Sequence, residues 1–242
     1  MNWHTRYVQQ ASWTRQLRSY IFDKASLKNA RHVLEVGCGT GAILSEIGDG
    51  PTVYGLDIDH PALVECGLHA PHAVQVQGNV LDLPFRDRSF DIVYSHFLLL
   101  LVKHPLLALQ EMKSVIRPEG TVIAFAEPNY LERADKPSEL VQLGRWQTES
   151  LIRQGADPGL GARLAELFFE AGIKILETGT IESPKNEPSL EEWEIEWQVI
   201  ESDLEGWVPE LHLQRMKRLD KQARESGERV LHVPTYFAWG SI

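Results

Sequence analysis

The chain has 242 residues, of which 43% are hydrophobic, and a formal net charge of −10 at neutral pH. This length allows one large α/β domain with a sizeable buried core. The longest apolar run, residues 97–102, is too short to span a bilayer, and the N-terminus lacks the basic-then-apolar layout of a secretory signal. We therefore expect a soluble, cytoplasmic protein without a membrane span.

Acidic residues are concentrated in one part of the chain. Residues 183–210 hold nine carboxylates and one lysine, and this charge repels phosphate backbones, so we expect no nucleic acid among the partners. The two cysteines, Cys38 and Cys66, form no CxxC pair, and no His/Cys cluster has zinc-ligand spacing. The sequence therefore predicts neither a metal site nor a disulfide framework.

Short apolar segments alternate with helical stretches along the chain. The segments that predict strands are residues 32–36, 52–56, 73–77, 90–95, 121–126, 173–178 and 229–239. The stretches that predict helices are residues 1–28, 42–47, 61–68, 105–116, 136–155, 159–171, 188–204 and 210–225. This alternation indicates a doubly wound α/β fold. We predict a Rossmann-like seven-stranded sheet, mostly parallel with an antiparallel final strand, plus a helical cap.

The same pattern divides the chain into four parts. We expect an N-terminal helical cap at residues 1–30, a Rossmann-like core at 31–182, a helical insertion forming a lid at 183–228, and a final core strand at 229–242. The last two strands should pair antiparallel at one edge of the sheet, with the insertion between them in sequence.

The sharpest motif is a glycine-rich loop, Glu35-Val36-Gly37-Cys38-Gly39-Thr40-Gly41, between a predicted strand and a predicted helix. Glycines there allow a tight turn and a close approach of a ligand to the backbone. The dinucleotide fingerprint GxGxxG needs a glycine at position 42, where this chain has Ala42. The spacing therefore argues against a dinucleotide cofactor.

An acidic residue ends the second predicted strand. Asp57 lies twenty positions beyond Gly37, the spacing at which a carboxylate accepts hydrogen bonds from ribose hydroxyls. This arrangement fits adenosine without a 2′-phosphate, because two negative groups would repel. The alternative is that Asp57 only caps the following helix or turn, although Asp59, just before a proline-led helix, is the better capping candidate.

Residues 33–41, together with residues 55–58, closely resemble the class I S-adenosylmethionine (SAM)-dependent methyltransferases. The variety is methyltransferase type 11, which has ubiquinone-biosynthesis-like relatives. Further matches follow in order at residues 78–85, 89–93 and 116–121. Each match is loose alone, but five in register are specific. The resemblance implies SAM as the cofactor and methyl transfer as the activity.

The resemblance also implies a role for each matching residue. Glu35 would meet the SAM ammonium, Asp57 the ribose hydroxyls, and Ile58 the adenine ring. Asn79 stands where the family usually has aspartate, and its side-chain oxygen can still accept a hydrogen bond from the adenine amino group. The other residues implied to bind the cofactor are Tyr7, Gly37, Cys38, Gly39, Thr40, Gly41, Val80, Leu81, Ser95 and His96.

Two residues are candidates for acting on the methyl acceptor. His96, after the fourth strand, is the first candidate for a general base or an acceptor-orienting group; the alternative is a histidine hydrogen-bonded beneath the cofactor site. Glu127 ends the fifth strand, where ligands bind in α/β sheets. It either orients an amine or hydroxyl acceptor or is a solvated loop carboxylate.

Several tryptophans fall at helical spacing. Trp193, Trp197, Ile200 and Leu204 form one apolar stripe on a predicted helix. We favour the interpretation that this stripe packs a lid on the core; the alternative is that it lines an apolar acceptor pocket. For Trp13, core packing is likewise favoured over a contact with the methionyl chain of SAM.

Three functions fit these features. The first is a SAM-dependent methyltransferase that acts on a small-molecule methyl acceptor, as a monomer or a homodimer. The second is a SAM-binding protein without turnover, and the third is an NAD-dependent oxidoreductase on a Rossmann fold. The glycine spacing disfavours the third, and the intact Glu35, glycine loop and Asp57 favour a working SAM site.

Overall fold

The computed structural model describes residues 2–181 and 188–242. Nine strands lie within these residues, and we number them in chain order. They are β1 (His32–Val36), β2 (Thr52–Asp57), β3 (Val74–Gln77), β4 (Phe90–Ser95), β5 (Ile116–Pro128), β6 (Ala134–Lys136), β7 (Lys174–Ile181), β8 (Val230–His232) and β9 (Thr235–Ser241).

Seven α-helices lie within the same two ranges. They are α1 (Trp3–Lys24), α2 (His60–His69), α3 (Pro105–Ser114), α4 (Val141–Arg153), α5 (Leu164–Glu170), α6 (Leu190–Leu204) and α7 (Glu210–Glu225). Local sequence explains where α1 and α6 begin. The side chain of Asn2 accepts a hydrogen bond from the Thr5 N–H, and Ser189 forms a reciprocal capping box with Glu192.

One large sheet organises the fold. Its seven strands lie in the order β3-β2-β1-β4-β5-β9-β7. Strands β1 to β5 run parallel, and β9 is antiparallel to both of its neighbours. The predicted fold class is therefore confirmed, with β9 lying inside the sheet and β7 at its edge. The strand order reverses between β1 and β4. At such a switch point, α/β sheets bind ligands at the carboxyl ends of their strands.

Helices cover both faces of this sheet, which explains why its strands are apolar throughout. On one face α1 and α2 pack through residues such as Phe22 and Leu63. On the other face α3 and α5 pack through residues such as Met112 and Phe168. The carboxyl ends of β1, β2 and β4 are thus held between two well-packed layers.

Three predicted elements differ from the observed ones. Residues 42–47 form only a 3-10 turn, Leu44–Glu46, because Gly48, Gly50 and Pro51 follow at once. The helix predicted over residues 136–155 begins at Val141, after β6 and a 3-10 turn. The strand predicted over residues 229–239 is split, and its first part, β8, pairs with β6 in a separate two-stranded sheet.

A third core lies outside the sheet. Helices α4, α6 and α7 pack together around Leu143, Trp193, Trp197 and Leu213. The tryptophan stripe is therefore a buried packing stripe, but the prediction that it packs a lid on the core is wrong, because it joins the cap helices to one another. The predicted boundary between core and insertion, at residues 182 and 183, lies outside the described residues. None of the helices in the described ranges is long and apolar enough to cross a membrane.

Candidate functional site

The glycine-rich loop connects β1 to the 3-10 turn at the switch point of the sheet. Gly37, Gly39 and Gly41 all have positive φ angles, between +50° and +79°, a backbone conformation that favours glycine. The Gly37 and Cys38 N–H groups both donate to the Leu56 carbonyl of β2, at 2.7 and 3.1 Å. The loop is therefore fixed to the neighbouring strand.

Asp57, at the carboxyl end of β2, is tied to this loop. Its Oδ2 accepts a hydrogen bond from the Gly39 N–H at 2.8 Å, and its Oδ1 accepts one from the Asp59 N–H at 2.9 Å. Each carboxylate oxygen keeps a second acceptor site, so ribose hydroxyls could still bind. Asp59 stands at the N-cap of α2, but its side chain makes no capping hydrogen bond. Next to Asp57, Ile58 is 68% exposed, as an adenine contact requires.

Glu35 is a deeply buried carboxyl beneath the glycine loop. It is 3% exposed, and its Oε2 accepts a hydrogen bond from the Tyr94 hydroxyl at 3.0 Å. Burial raises the pKa of Glu35 well above its usual range. Among the described residues, no cation lies within ion-pair distance of this carboxyl, although Arg18 is near. A ligand ammonium would supply the missing positive charge.

The first turns of α1 cover the open side of the loop. A hydrogen bond of 2.8 Å joins His4 Nδ1 and Thr40 Oγ1, and the His4 ring stacks on His69 with the centroids 3.4 Å apart. The Tyr7 ring lies so close to Gly39 that a Cβ there would stand 2.9 Å from Tyr7 Cε2. Tyr7 therefore lies against the glycine loop, and its contact with the cofactor stays a prediction.

Later turns of α1 contact the other end of the site. Thr14 Oγ1 and His96 Nε2 form a hydrogen bond of 2.9 Å. Arg18 lies beside Thr14 and forms an ion pair with Glu46 in the 3-10 turn after the glycine loop. Positions 4, 7, 14 and 18 lie on one face of a helix. This spacing from Tyr7 could have identified His4, Thr14 and Arg18 in the sequence.

Ser95 is the last residue of β4, which neighbours β1, and His96 follows it. Ser95 is fully buried, and its hydroxyl oxygen finds no hydrogen-bond partner within residues 2–181 and 188–242. An unpaired buried hydroxyl costs about 1–3 kcal/mol, which a ligand atom would recover.

Burial, and secondarily the Arg18 charge, lower the pKa of His96 to about 3. The bond with Thr14 favours the alternative of a hydrogen-bonded histidine beneath the site, and the catalytic assignment of His96 stays a prediction.

Glu127, near the end of β5, is fully buried. Its Oε1 accepts hydrogen bonds from the Leu98 and Leu99 N–H groups, and its Oε2 accepts one from the Leu100 N–H, at 2.9–3.2 Å. Burial raises the pKa of Glu127 to about 7, against the effect of these donors. The interpretation as a solvated loop carboxylate is wrong. The carboxyl fixes the turn after β4, and its role toward an acceptor stays a prediction.

The loop after β3 carries the residues predicted to meet the adenine. Asn79 is exposed, and its Oδ1 accepts a hydrogen bond from the Leu81 N–H at 3.0 Å. The oxygen keeps a second acceptor site for an adenine amino group. Val80 is buried in the sheet core, so only its backbone is available to a ligand.

Cys38 turns its side chain away from this site. A Cβ on Gly55 would stand 2.8 Å from Cys38 Sγ, and one on Gly41 would stand 2.8 Å from Cys66 Sγ. The hydrogen bond with Cys66, together with burial, raises the pKa of the Cys38 thiol. Both thiols are therefore packing groups, and Cys38 offers a ligand its backbone only. Within the described ranges, no three His, Cys, Asp or Glu side chains are arranged to hold a metal ion.

Known proteins resemble this chain in sequence and in fold. Residues 34–124 match the family model described as "Methyltransferase domain". O-methyltransferase resE of Aspergillus sclerotiorum is 28% identical over 172 residues, which are 68% of this chain and 62% of that protein. Demethylmenaquinone methyltransferase of Staphylococcus aureus (strain MRSA252) is 32% identical over 116 residues, 45% of this chain and 48% of that protein.

A solved structure from Anabaena variabilis, described provisionally as a methyltransferase from an antibiotic biosynthesis pathway, superimposes with a TM-score of 0.71. It is 15% identical and covers 95% of this chain and 98% of its own. At this identity the likeness establishes the fold alone. The chain spans 62% and 48% of the lengths of the two curated relatives.

The sheet order and the glycine loop at its switch point define a Rossmann-like fold. Together with the methyltransferase-domain model that matches residues 34–124 and the methyltransferases among the relatives, they support the resemblance to the class I SAM-dependent methyltransferases. The family resemblance found in the sequence is therefore confirmed. This family implies the use of SAM.

Proposed function

We propose that this protein binds SAM and transfers its methyl group to a small-molecule acceptor. The observation that carries the proposal is the pair of carboxyls that flank the glycine loop on adjacent strands. Glu35 is buried without an ion-pair partner in the described part of the chain, and Asp57 keeps free acceptor sites. An ammonium and a ribose diol, both present in SAM, complement these two groups.

The same geometry disfavours a dinucleotide. A pyrophosphate is normally held at the N-terminus of a full helix that follows the glycine loop. Here the loop leads into a single 3-10 turn, Leu44–Glu46, and the buried Glu35 carboxyl lies beneath it. Binding of NAD at this loop would place its phosphate charge near the Glu35 carboxyl, and no helix N-terminus would stabilise that charge.

SAM supplies an activated methyl group with a good leaving group, so the protein's task is to position the reactants and exclude water. The covering residues of α1, above all Tyr7, would shield the site from water, and the glycine loop would let the cofactor lie against backbone. The Ser95 hydroxyl is available to a ligand atom near the carboxyl end of β4. With its pKa near 3, His96 is neutral at physiological pH and only a weak proton acceptor.

An acceptor would approach the carboxyl ends of β4 and β5. Trp13 of α1 packs edge-on against Phe97 after β4, with the ring centroids 6.4 Å apart. Tyr130 follows β5 and lies near Arg6 and Glu196. Aromatic walls with a few polar groups are typical of small-molecule sites. The names of the relatives, an O-methyltransferase and a demethylmenaquinone methyltransferase, make phenols and quinols the first acceptors to screen.

The proposal is tested by calorimetric titration of the protein with SAM, S-adenosylhomocysteine and NADH in parallel. We expect saturable binding of the first two compounds and none of NADH, followed by acceptor-dependent formation of S-adenosylhomocysteine. Binding of NADH alone would overturn the proposal in favour of an oxidoreductase. Binding of SAM without turnover across the acceptor screen would support the second candidate, a SAM-binding protein.

Asp57→Ala should weaken SAM binding by about 1.5–3 kcal/mol, the range for hydrogen bonds to a charged group. The loss combines the ribose contacts with the anchor on the Gly39 N–H. Calorimetric affinities of the variant and the wild type give the difference. Asp59→Ala is the matched control, because its side chain makes no capping bond and the charge removed is the same. Equal affinities of Asp57→Ala and the wild type would refute the assignment.

A further inference from the structure

Helix α1 contacts two parts of the protein with two different faces. One face carries His4 and Tyr7, which cover the glycine loop. The other face carries Arg6 and Gln9, which contact α6 of the helical cap. Positions 6 and 9 fall roughly opposite the face of residues 4, 7 and 14 at the helical period of about 100° per residue. A single rigid helix therefore joins the predicted cofactor site to the cap.

The contact with α6 is polar and well defined. Arg6 Nη1 donates to Glu196 Oε2 at 2.5 Å and to Gln9 Oε1 at 2.9 Å. Gln9 Nε2 donates in turn to the Glu192 carbonyl at 3.1 Å. The Arg6 guanidinium also lies over the Trp13 ring, 5.1 Å from its centroid. Arg6 and Gln9 thus hold the first two turns of α1 against α6.

Burial of Arg6 makes this contact costly to break. Arg6 is 7% exposed, and the side chain of Glu196 is 28% exposed. Removing one member of a buried charge pair leaves the other charge without its partner, which destabilises the arrangement far more than the loss of an exposed pair. While α6 keeps its place in the cap, the first turns of α1 can lift from the glycine loop only if Arg6 separates from Glu196.

We propose that Arg6 and Glu196 are positioning residues that hold α1 over the cofactor site and thereby set how fast the cofactor leaves. This inference rests on the proposed function for the identity of the ligand. Neither residue touches the glycine loop; they act through Tyr7 and His4 on the same helix. The cap thus controls how long the cofactor stays bound without touching it, and the Arg6–Glu196 pair connects the cap to the helix that covers the cofactor site.

Glu196→Gln tests this directly. We expect S-adenosylhomocysteine to leave the variant roughly tenfold faster than the wild type. The substitution weakens one charged hydrogen bond that is present only while α1 covers the glycine loop. Stopped-flow release measured by tryptophan fluorescence gives the rate. Hydrogen exchange of the amides of residues 3–14, without any ligand, should also be faster in the variant, because the covering turns open more often.

Two further variants sharpen the test. Glu194→Gln removes the same charge from the same helix, together with an exposed ion pair to Lys217 at 3.2 Å, and should leave release and exchange as in the wild type. Arg6→Gln combined with Glu196→Gln brings two neutral amides together. This double variant should release the product more slowly than the sum of the single effects predicts.

Unchanged release and unchanged exchange in Glu196→Gln would overturn the inference. Equal acceleration in Glu194→Gln would also overturn it, because the effect would then come from the charge of the cap and not from the pair. If the wild type binds neither SAM nor S-adenosylhomocysteine, the proposed function fails, and with it the claim about release. The exchange of residues 3–14 still decides whether the pair holds α1 in place.

Discussion

Asp220→Asn should lower the free energy of unfolding by about 3–5 kcal/mol, the loss typical of breaking a buried ion pair. Asp220 is 5% exposed and lies on α7. Its Oδ2 accepts hydrogen bonds from the indole Nε1 of both Trp193 and Trp197, at 2.5 and 2.8 Å. Its Oδ1 accepts one from Arg229 Nε at 2.5 Å. An asparagine has one acceptor oxygen and would direct an N–H₂ group at donors.

The same carboxyl connects the cap to the small sheet. Arg229 also pairs with Asp135 of β6 at 2.9 Å, and Asp135 pairs with Arg133 at 2.7 Å. Loss of the Asp220 charge therefore affects α6, α7 and the β6–β8 pair together. We expect the tryptophan fluorescence to shift toward longer wavelength, because Trp193 and Trp197 would become accessible to water.

Urea unfolding of the variant and the wild type gives the difference in free energy. Glu201→Gln is the matched control, since it removes one of the two acidic partners of Lys217, at 3.0 Å in the same cap, while Glu194 remains. It should change stability by less than about 1 kcal/mol. A loss below that value in Asp220→Asn would show that the two tryptophans are held by packing alone. The buried network would then be incidental to the stability of the cap.

The sequence predicted well where local pattern decides the structure. The glycine loop and Asp57 were located by spacing within one strand–loop–strand unit, and the apolar strands predicted the parallel sheet. The tryptophan stripe of α6 was recognised by its helical period, and its burial follows from that period. In each case the deciding interactions join residues that are close in the sequence or repeat regularly along it.

Prediction failed where contacts join distant residues. Trp197 and Asp220 are on different helices, and the sequence around each residue does not indicate that the other is its partner. Glu127 resembled a loop carboxylate because it ends a strand, yet its partners are the three backbone N–H groups after β4. Strand β8 forms because it pairs with β6, which lies about a hundred residues earlier in the chain. Such partners are set by the assembled fold, and the local sequence carries no signal for them.

Wild-type protein should lose about 2–3 kcal/mol more stability between pH 7 and pH 4.5 than the variant His96→Gln. Burial and the Arg18 charge hold the pKa of His96 at about 3 in the folded protein, below its ordinary value of 6.5. Below pH 6.5 the unfolded chain therefore binds a proton that the folded protein does not. The stability contributed by the neutral ring is complete above pH 6.5 and is lost as the pH falls toward 3.

Glutamine suits this test because it does not titrate and can still hydrogen-bond to Thr14 Oγ1, the partner of His96 Nε2. Urea unfolding at several pH values gives two curves whose difference isolates the histidine, since Glu127 and the other carboxyls contribute equally to both. Parallel curves would mean that His96 is protonated normally in the folded protein. His96, beside the predicted methyl-transfer site, would then be basic enough to act as a general base. In that case the methylation rate should fall as His96 becomes protonated near pH 6.5. Diverging curves would leave the ring as a neutral support beneath α1, so an acceptor that must lose a proton would need another base.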